Sequence, residues 1–176
     1  MKKNYLLLLF SMCFAYSGNS QITLSQTTSN AIIPNNTVAC TTGDGVPDDN
    51  TYYRAFDLAS LGYAQFDVNQ VSFGIDKASS IDPTFLVDVI IYSNSGEAFP
   101  NGTLTEVSSV PVSITSADAN SVKTVAINAS VMAPNQLVFA VRIPDEVELN
   151  HSTVFLLGSY SAGQSTPGFF ASDGCG

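Results

Sequence analysis

The side chains best suited to binding a metal lie in one acidic loop. Asp44, Asp48, Asp49 and Asn50 fall within seven residues, on a stretch that also contains Gly45 and Pro47. Calcium takes about six to eight oxygen ligands from carboxylates, amides and backbone carbonyls on loops of this kind. The spacing therefore predicts a calcium site. The competing interpretation is a solvated acidic turn, in which Asp49 or Asn50 bonds its own backbone.

The stretch 44–48, Asp-Gly-Val-Pro-Asp, is similar to part of the aspartate-rich calcium repeats of extracellular proteins. It departs from them upstream, because Cys40 and Thr42 stand where those repeats carry earlier aspartates. The similarity supports calcium as the expected cofactor but leaves the ligand set incomplete.

Catalytic chemistry has few candidate residues in this sequence. His151 is the only histidine, and no serine lies in a Gly-x-Ser-x-Gly motif. A catalytic zinc site needs more ligands than one histidine supplies, and a nucleophilic serine needs a base. Glycoside hydrolysis needs only two carboxylates, so the composition leaves it open, although no pair is indicated. We expect a protein that is not an enzyme.

A cation and several aromatic rings are candidates for ligand binding or for the core. Arg54 lies on a predicted strand that also contains Asp57; it shares a face with Tyr52 and Phe56, so we expect it to be partly covered and paired with a carboxylate. Rings that could stack on sugars are Tyr52, Tyr53, Tyr63, Tyr92, Tyr160, Phe169 and Phe170. The absence of tryptophan weakens the sugar interpretation, and the alternative is that these rings belong to the core or its rim.

The first 20 residues have the order of a secretory signal peptide. Lys2 and Lys3 precede an apolar stretch, and small and polar residues follow up to Ser20. The apolar stretch is shorter than the roughly 20 residues that span a bilayer, so we expect cleavage near Ser20 and no membrane insertion afterwards. Cys13 would leave with this segment. The predicted location is secreted or at the cell surface.

Two cysteines remain after cleavage, Cys40 and Cys175. In an exported protein an even pair predicts a disulfide, and this one would close nearly the whole domain. The alternative is two free thiols.

The charge balance excludes several partners. The chain has 6 Lys and Arg against 15 Asp and Glu, a formal net charge of −9, and two of its lysines lie in the signal segment. So acidic a surface repels phosphate backbones and anionic membranes. Nucleic acid is therefore excluded as an expected partner, and an extracellular glycan or protein remains.

Hydrophobic alternation predicts about eight short strands separated by turns, with no long helix. The strongest runs are 52–58, 67–76, 85–92, 103–114, 121–127, 136–143, 153–160 and 166–171. Such a pattern predicts an all-β fold, a two-sheet antiparallel β-sandwich, jelly-roll-like, with an immunoglobulin-like sandwich as the alternative. We expect a lead-in over residues 21–36, called the lead-in below, and one sandwich domain over residues 37–176.

Several local motifs together carry a resemblance to a known group. They are Val38-Ala39-Cys40, the run 49–58, Val71-Ser72-Phe73-Gly74-Ile75, the run 137–141, Leu157-Gly158-Ser159, the turn 163–166 and Gly174-Cys175-Gly176. This set resembles an N-terminal β-sandwich module of secreted Bacteroidota proteins, many of them substrates of type IX secretion. The resemblance implies a non-catalytic, jelly-roll-like extracellular module. Such proteins usually continue into a C-terminal sorting domain, so we expect this chain to be one module of something longer or to use another route.

The expected function is a non-catalytic extracellular or cell-surface module for binding or adhesion, stabilised by calcium if the acidic loop binds it. The alternative is a carbohydrate-binding accessory module of a larger secreted hydrolase.

Overall fold

The computed structural model describes residues 21–41, 49–144, 153–160, 163–172 and 175. Ten strands account for most of them. They are β1 (Ile32–Ile33), β2 (Asn50–Asp57), β3 (Gln65–Ser79), β4 (Phe85–Ser95), β5 (Thr103–Ile114), β6 (Ser121–Met132), β7 (Gln136–Ile143), β8 (Val154–Leu157), β9 (Ser159–Tyr160) and β10 (Phe169–Ala171). The one helical piece in the described part is a 3-10 turn at Ser116–Asp118.

The described strands form two main antiparallel sheets packed against each other, so the fold is all-β and sandwich-like. The larger sheet has the order β10-β2-β7-β4-β5, and the smaller one has the order β6-β3-β8. A separate two-stranded ladder joins β1 to β9. Among the described residues no helix has the length and hydrophobicity to cross a membrane.

The core lies between the two sheets because alternate residues of each strand face inward. In β4, Phe85, Val87, Val89 and Ile91 are all buried, and the ring of Phe85 meets that of Phe155 edge to face at 5.8 Å between centroids. On the opposite face of β4, Leu86 is 52% exposed. The run 85–92 is the most apolar of the predicted strands and favours a central strand covered on both faces. In the structure β4 lies inside the sheet, between the central strand β7 and the edge strand β5, but Leu86 leaves its outer face partly exposed.

Proline interrupts the predicted strand 103–114 but not the observed one. Pro111 lies within β5, where it is paired in register with Asp88 of β4. Because β5 is an edge strand, a residue without an N–H is tolerated there.

The turn between β5 and β6 carries the chain from the larger sheet to the smaller one. Asp118 accepts hydrogen bonds from the Thr115 N–H at 2.8 Å and from Lys123 Nζ at 2.8 Å. The hydrogen bond from Lys123 lowers the pKa of Asp118, with Thr115 adding to the effect and burial opposing it. The ion pair therefore joins the turn to β6.

We expect Asp118→Asn to lower the free energy of unfolding by about 1 kcal/mol at neutral pH. A carboxyl whose pKa is lowered by folding stabilises the protein above its unfolded pKa of about 4, and this stabilisation is lost as the pH falls through the folded pKa. Urea unfolding of both proteins from pH 7 to pH 3 measures the difference. A difference in unfolding free energy between the two proteins that stays constant from pH 7 to pH 3 would contradict a stabilising role of the Asp118 carboxylate.

The lead-in is attached to the sandwich through a notch between two glycines. Ile32 of β1 lies against Gly74 and Gly158, where an added Cβ would come within 3.3 Å and 3.1 Å of its side chain. The Gly158 N–H donates to the Gly74 carbonyl at 2.8 Å, and the Asn35 N–H donates to Asp76 Oδ2 at 2.7 Å. Glycine at both positions lets the lead-in pack directly on β3 and the β8–β9 connection.

We expect Gly158→Ala to lower the free energy of unfolding by about 1–3 kcal/mol, because its new methyl group meets Gly74 backbone as well as Ile32. Gly163→Ala is the matched control, since a Cβ there has no described atom within 4 Å. Thermal unfolding compares the two. Equal midpoints for both variants would show that the notch is not tightly packed.

Candidate functional site

A cleft of about 790 Å³ opens between the two sheets. Its walls are the inner faces of β2, β3 and β7, and residues 21–27 of the lead-in line it as well. Apolar side chains that line it include Phe56, Phe66 and Phe139, and polar ones include Arg54 and Gln164. We call it the Arg54 cleft.

The cleft exists because the smaller sheet lacks a partner strand over half of its length. Strand β3 pairs with β6 from Gln65 to Ile75, but on its other side it pairs with β8 only between Ile75 and Ser79. Strand β8 ends at Leu157, and the following β9 pairs with β1 instead. Among the described residues no strand covers 65–73 on that side, and the space between the sheets stays open there.

Arg54 provides the positive charge of the cleft. Its Nη1 donates to Gln164 Oε1 at 2.6 Å, and Gly168 lies so close that a Cβ there would be 2.6 Å from Nη1. Burial lowers the pKa of the guanidinium, while the neighbouring Tyr160 raises it to a lesser extent. The predicted carboxylate partner of Arg54 is not found in the described part of the chain. The guanidinium donates to the amide oxygen of Gln164, and Asp57 accepts hydrogen bonds from Ser60.

The lead-in holds its place over the cleft by a few polar contacts. Gln26 Nε2 donates to the Ala55 carbonyl at 2.6 Å, and the Gln26 carbonyl accepts from the Ser165 N–H at 3.0 Å. Thr27 forms a single bridge with Gln164. The Oε1 atom of Gln26 is buried, and no described residue donates a hydrogen bond to it. This amide therefore lies in the cleft with its acceptor oxygen unpaired in the described part of the chain.

The acidic loop is described only at its end. Asp44 and Asp48 lie outside the described residues. Asn50 is fully buried: its Oδ1 accepts from the Cys40 N–H at 3.0 Å, and its Nδ2 donates to the Cys40 carbonyl at 2.9 Å. Asp49, at a positive φ of 42°, accepts from Arg142 Nε at 2.9 Å.

These contacts give Asp49 and Asn50 clear structural roles. The amide of Asn50 satisfies the backbone of Cys40, and Arg142 joins Asp49 to Asp88, which lies 3.4 Å from its Nη1. In the part of the chain that the structure describes, no group of three or more His, Cys, Asp or Glu side chains is placed to hold a metal. His151 lies outside that part.

The disulfide between Cys40 and Cys175 is present, with 5.9 Å between the Cα atoms. The predicted pairing is therefore confirmed, and it joins residues 135 apart in the sequence. Tyr52 donates from its hydroxyl to the carbonyl of Val38, two residues before Cys40, at 2.6 Å. Burial raises the pKa of Tyr52 to about 12, partly offset by a hydrogen bond with Thr37. Disulfides persist in oxidising compartments, so the bond is typical of a protein outside the cytoplasm.

The predicted aromatic residues divide between the two faces of the larger sheet. Tyr53 and Phe169 are paired in register, and both rings contact Phe99, with centroids 5.2 Å and 4.8 Å from it. We call these three rings the outer aromatic cluster. Tyr52 contacts Phe170 on the inner face at 5.1 Å. Sequence reasoning missed Phe99, whose one signal was its position before Pro100 in a turn.

The other predicted rings serve elsewhere. Tyr63 packs edge to face on Phe66 at 5.6 Å, and Tyr160 lies at the Arg54 cleft. Tyr92 is half-buried; burial raises its pKa, and the nearby Tyr53 adds to this.

Comparison with protein-family models, with curated proteins and with solved structures finds no match to this chain.

Proposed function

We propose that this chain is a non-catalytic module, secreted or held at the cell surface, that binds a glycan or protein ligand in the Arg54 cleft. The observation that carries the proposal is an open intersheet cleft in which a partly buried guanidinium meets no described carboxylate. Ligand sites are typically concave and largely apolar, with a few polar groups that fix orientation. The sandwich-like all-β fold is consistent with this role, and we propose that its strand arrangement is jelly-roll-like, as the resemblance to secreted Bacteroidota modules implies.

Charge strengthens the argument for Arg54. The chain has a net charge of −9, so a guanidinium facing a cleft is unusual for its surface. A carboxylate or another anion could make a two-pronged hydrogen bond with it, which a lysine would not reproduce. We therefore expect the ligand to place an acidic or strongly accepting group at Arg54.

The test is a glycan array and a protein pull-down carried out with the purified chain and with Arg54→Gln. We expect Arg54→Gln to weaken binding about tenfold or more. Lys77→Gln is the matched control, since it removes the same charge from an exposed position of β3 outside the cleft. Ligands that bind both variants and the parent protein equally would place the site elsewhere and overturn the proposal.

A second candidate function is carbohydrate binding on the outer aromatic cluster, as an accessory module of a larger secreted hydrolase. It is favoured by the three contacting rings of Tyr53, Phe99 and Phe169. Rings of this kind stack on apolar sugar faces. On the same array, Tyr53→Ala would abolish sugar binding in this case, whereas Arg54→Gln would leave it unchanged.

Calcium would stabilise the acidic loop by drawing on Asp44 and Asp48 and by sharing Asp49 with Arg142. We expect the melting temperature to rise with added calcium and to fall with chelator, because a ligand at about 100 times its Kd stabilises the folded state by about 2.7 kcal/mol. The double variant Asp44→Asn/Asp48→Asn should lose the response. An unchanged midpoint in the parent protein would remove calcium from the proposal.

A further inference from the structure

The smaller sheet presents an unpaired edge beside the Arg54 cleft. Residues 65–73 of β3 have β6 on one side and no described strand on the other. A strand edge of this length exposes a row of N–H and C=O groups, which makes it a template for pairing with another chain. The neighbouring cleft adds apolar pockets for alternate side chains of such a strand.

Residues 21–24 of the lead-in line the cleft together with residues 66–74 of β3, but in the described structure they do not pair with β3. Their one described hydrogen bond to it joins side chains, from Gln21 Nε2 to Asn69 Oδ1 at 3.4 Å. No backbone hydrogen bond of the described residues joins them to β3. Ile22 is 50% exposed, so this part of the lead-in covers the cleft without filling it.

The lead-in nevertheless has the alternation of a strand. Leu24 and Gln26 are partly buried, whereas Thr23 and Ser25 are exposed. Leu24 packs against the core, and Gln26 lies at the wall formed by Ala55 and the Gln164–Ser165 segment, next to Arg54. The unpaired edge of β3 and the adjoining part of the Arg54 cleft are called the groove below. The lead-in lies in this groove in place of a bound strand, with apolar side chains at 22 and 24 and a neutral amide at 26.

We propose that this groove binds an extended peptide segment of a partner protein by strand addition to β3, displacing residues 21–26. The inference rests on the proposed function and names its ligand class. The partner strand carries apolar residues at two alternate positions and an acidic residue at the third, which meets the guanidinium of Arg54. Main-chain hydrogen bonds supply affinity in this mode, and the alternate side chains supply specificity.

Two features of the groove favour displacement. Over residues 21–26 the lead-in gives up the side-chain hydrogen bond of Gln21 and the two hydrogen bonds of Gln26, while an added strand gains a backbone ladder along β3. The attachments of the lead-in at β1 and Asn35 are separate from these contacts, so residues 21–26 can leave while the rest of the lead-in stays bound. An acidic side chain in place of the Gln26 amide adds a charge-assisted hydrogen bond that the lead-in cannot make.

The experiment uses two synthetic peptides and the chain without its signal segment. One peptide copies residues 21–30, Gln-Ile-Thr-Leu-Ser-Gln-Thr-Thr-Ser-Asn, and the other carries Gln26→Glu. We expect the Glu peptide to bind about tenfold more tightly by fluorescence polarisation, and Arg54→Gln to abolish this preference while Lys77→Gln retains it. Leu24→Ser in the protein should raise the affinity for both peptides, because it weakens the internal competitor.

Backbone pairing is tested with two N-methylated forms of the Glu peptide, methylated at odd or at even positions. Alternate residues of a strand direct their N–H groups to opposite sides, so one set should lose binding and the other should keep it. Equal binding of both sets, or no binding of any peptide at 1 mM (roughly the concentration at which the tethered lead-in competes), overturns strand addition. Arg54-dependent glycan binding without peptide binding would then leave the proposed function standing, whereas absence of both would remove it too.

Discussion

Replacing Cys175 with alanine lowers the free energy of unfolding by about 5 kcal/mol. The disulfide closes a loop with a sequence separation of 135 residues, and on the chain-entropy account a cross-link of that length restricts the unfolded state by about that amount. Because whole domains have only about 5–15 kcal/mol of net stability, we expect much of the purified variant to be unfolded at 37 °C. Urea unfolding followed by tyrosine fluorescence measures the change.

The two cysteines differ in burial, which supplies the control. Cys175 is exposed, so Cys175→Ala removes the cross-link and little packing. Cys40 is 3% exposed, so Cys40→Ala should cost slightly more, and the double variant should cost no more than Cys40→Ala. A loss below about 1 kcal/mol in Cys175→Ala would mean that the unfolded chain is already compact around this loop.

Phe155→Ala should lower the free energy of unfolding by about 3–5 kcal/mol. Phe155 is fully buried in β8, and its ring meets that of Phe85 edge to face. Removing it loses the transfer free energy of the ring and leaves a cavity between the sheets. The loss should also weaken the pairing of β8 with β3, because Phe155 lies opposite Ala78 in that ladder.

A truncation to alanine on the outer face of the larger sheet is the control. Leu86 of β4 is 52% exposed, so Leu86→Ala should change stability by less than about 1 kcal/mol. Phe155→Leu should fall between the two, since it retains most of the apolar volume. Amide hydrogen exchange in β8 and β3 reports whether the loss is local or global; protection unchanged in Phe155→Ala would contradict its place in the core.

Strand positions could be predicted wherever an apolar run is bounded by turn residues. Strand β7, Gln136–Ile143, has the predicted bounds: Leu137 and Val141 face the core between the sheets, and Val138 on the other face of the strand is buried as well. The sequence at 37–40 also has the pattern of a short strand, but no strand forms there; Cys40 is held by the Asn50 amide and the disulfide instead of by a ladder. Its local pattern resembles a strand, but its contacts are made by side chains distant in sequence.

The candidate site was less predictable, because it depends on where pairing stops. Arg54 could be selected from its place on an apolar strand face, yet its neighbour Gln164 is 110 residues away. The cleft arises because β8 ends at Leu157 and the next residues pair with the lead-in. No local pattern shows that β3 keeps half of one edge unpaired. The calcium site expected at Asp44 and Asp48 stays a prediction.

The disulfide also determines how the molecule carries mechanical load. Tension applied to the chain before Cys40 and after Cys175 passes directly through the bond between them, and the 134 residues enclosed by the loop are bypassed. The two sheets then bear no pulling force, and the force falls on the attachments of the lead-in, among them those of Gln26, Ile32 and Asn35. A module of this design can be stretched between two anchors while its core, and the cleft within it, keep their shape.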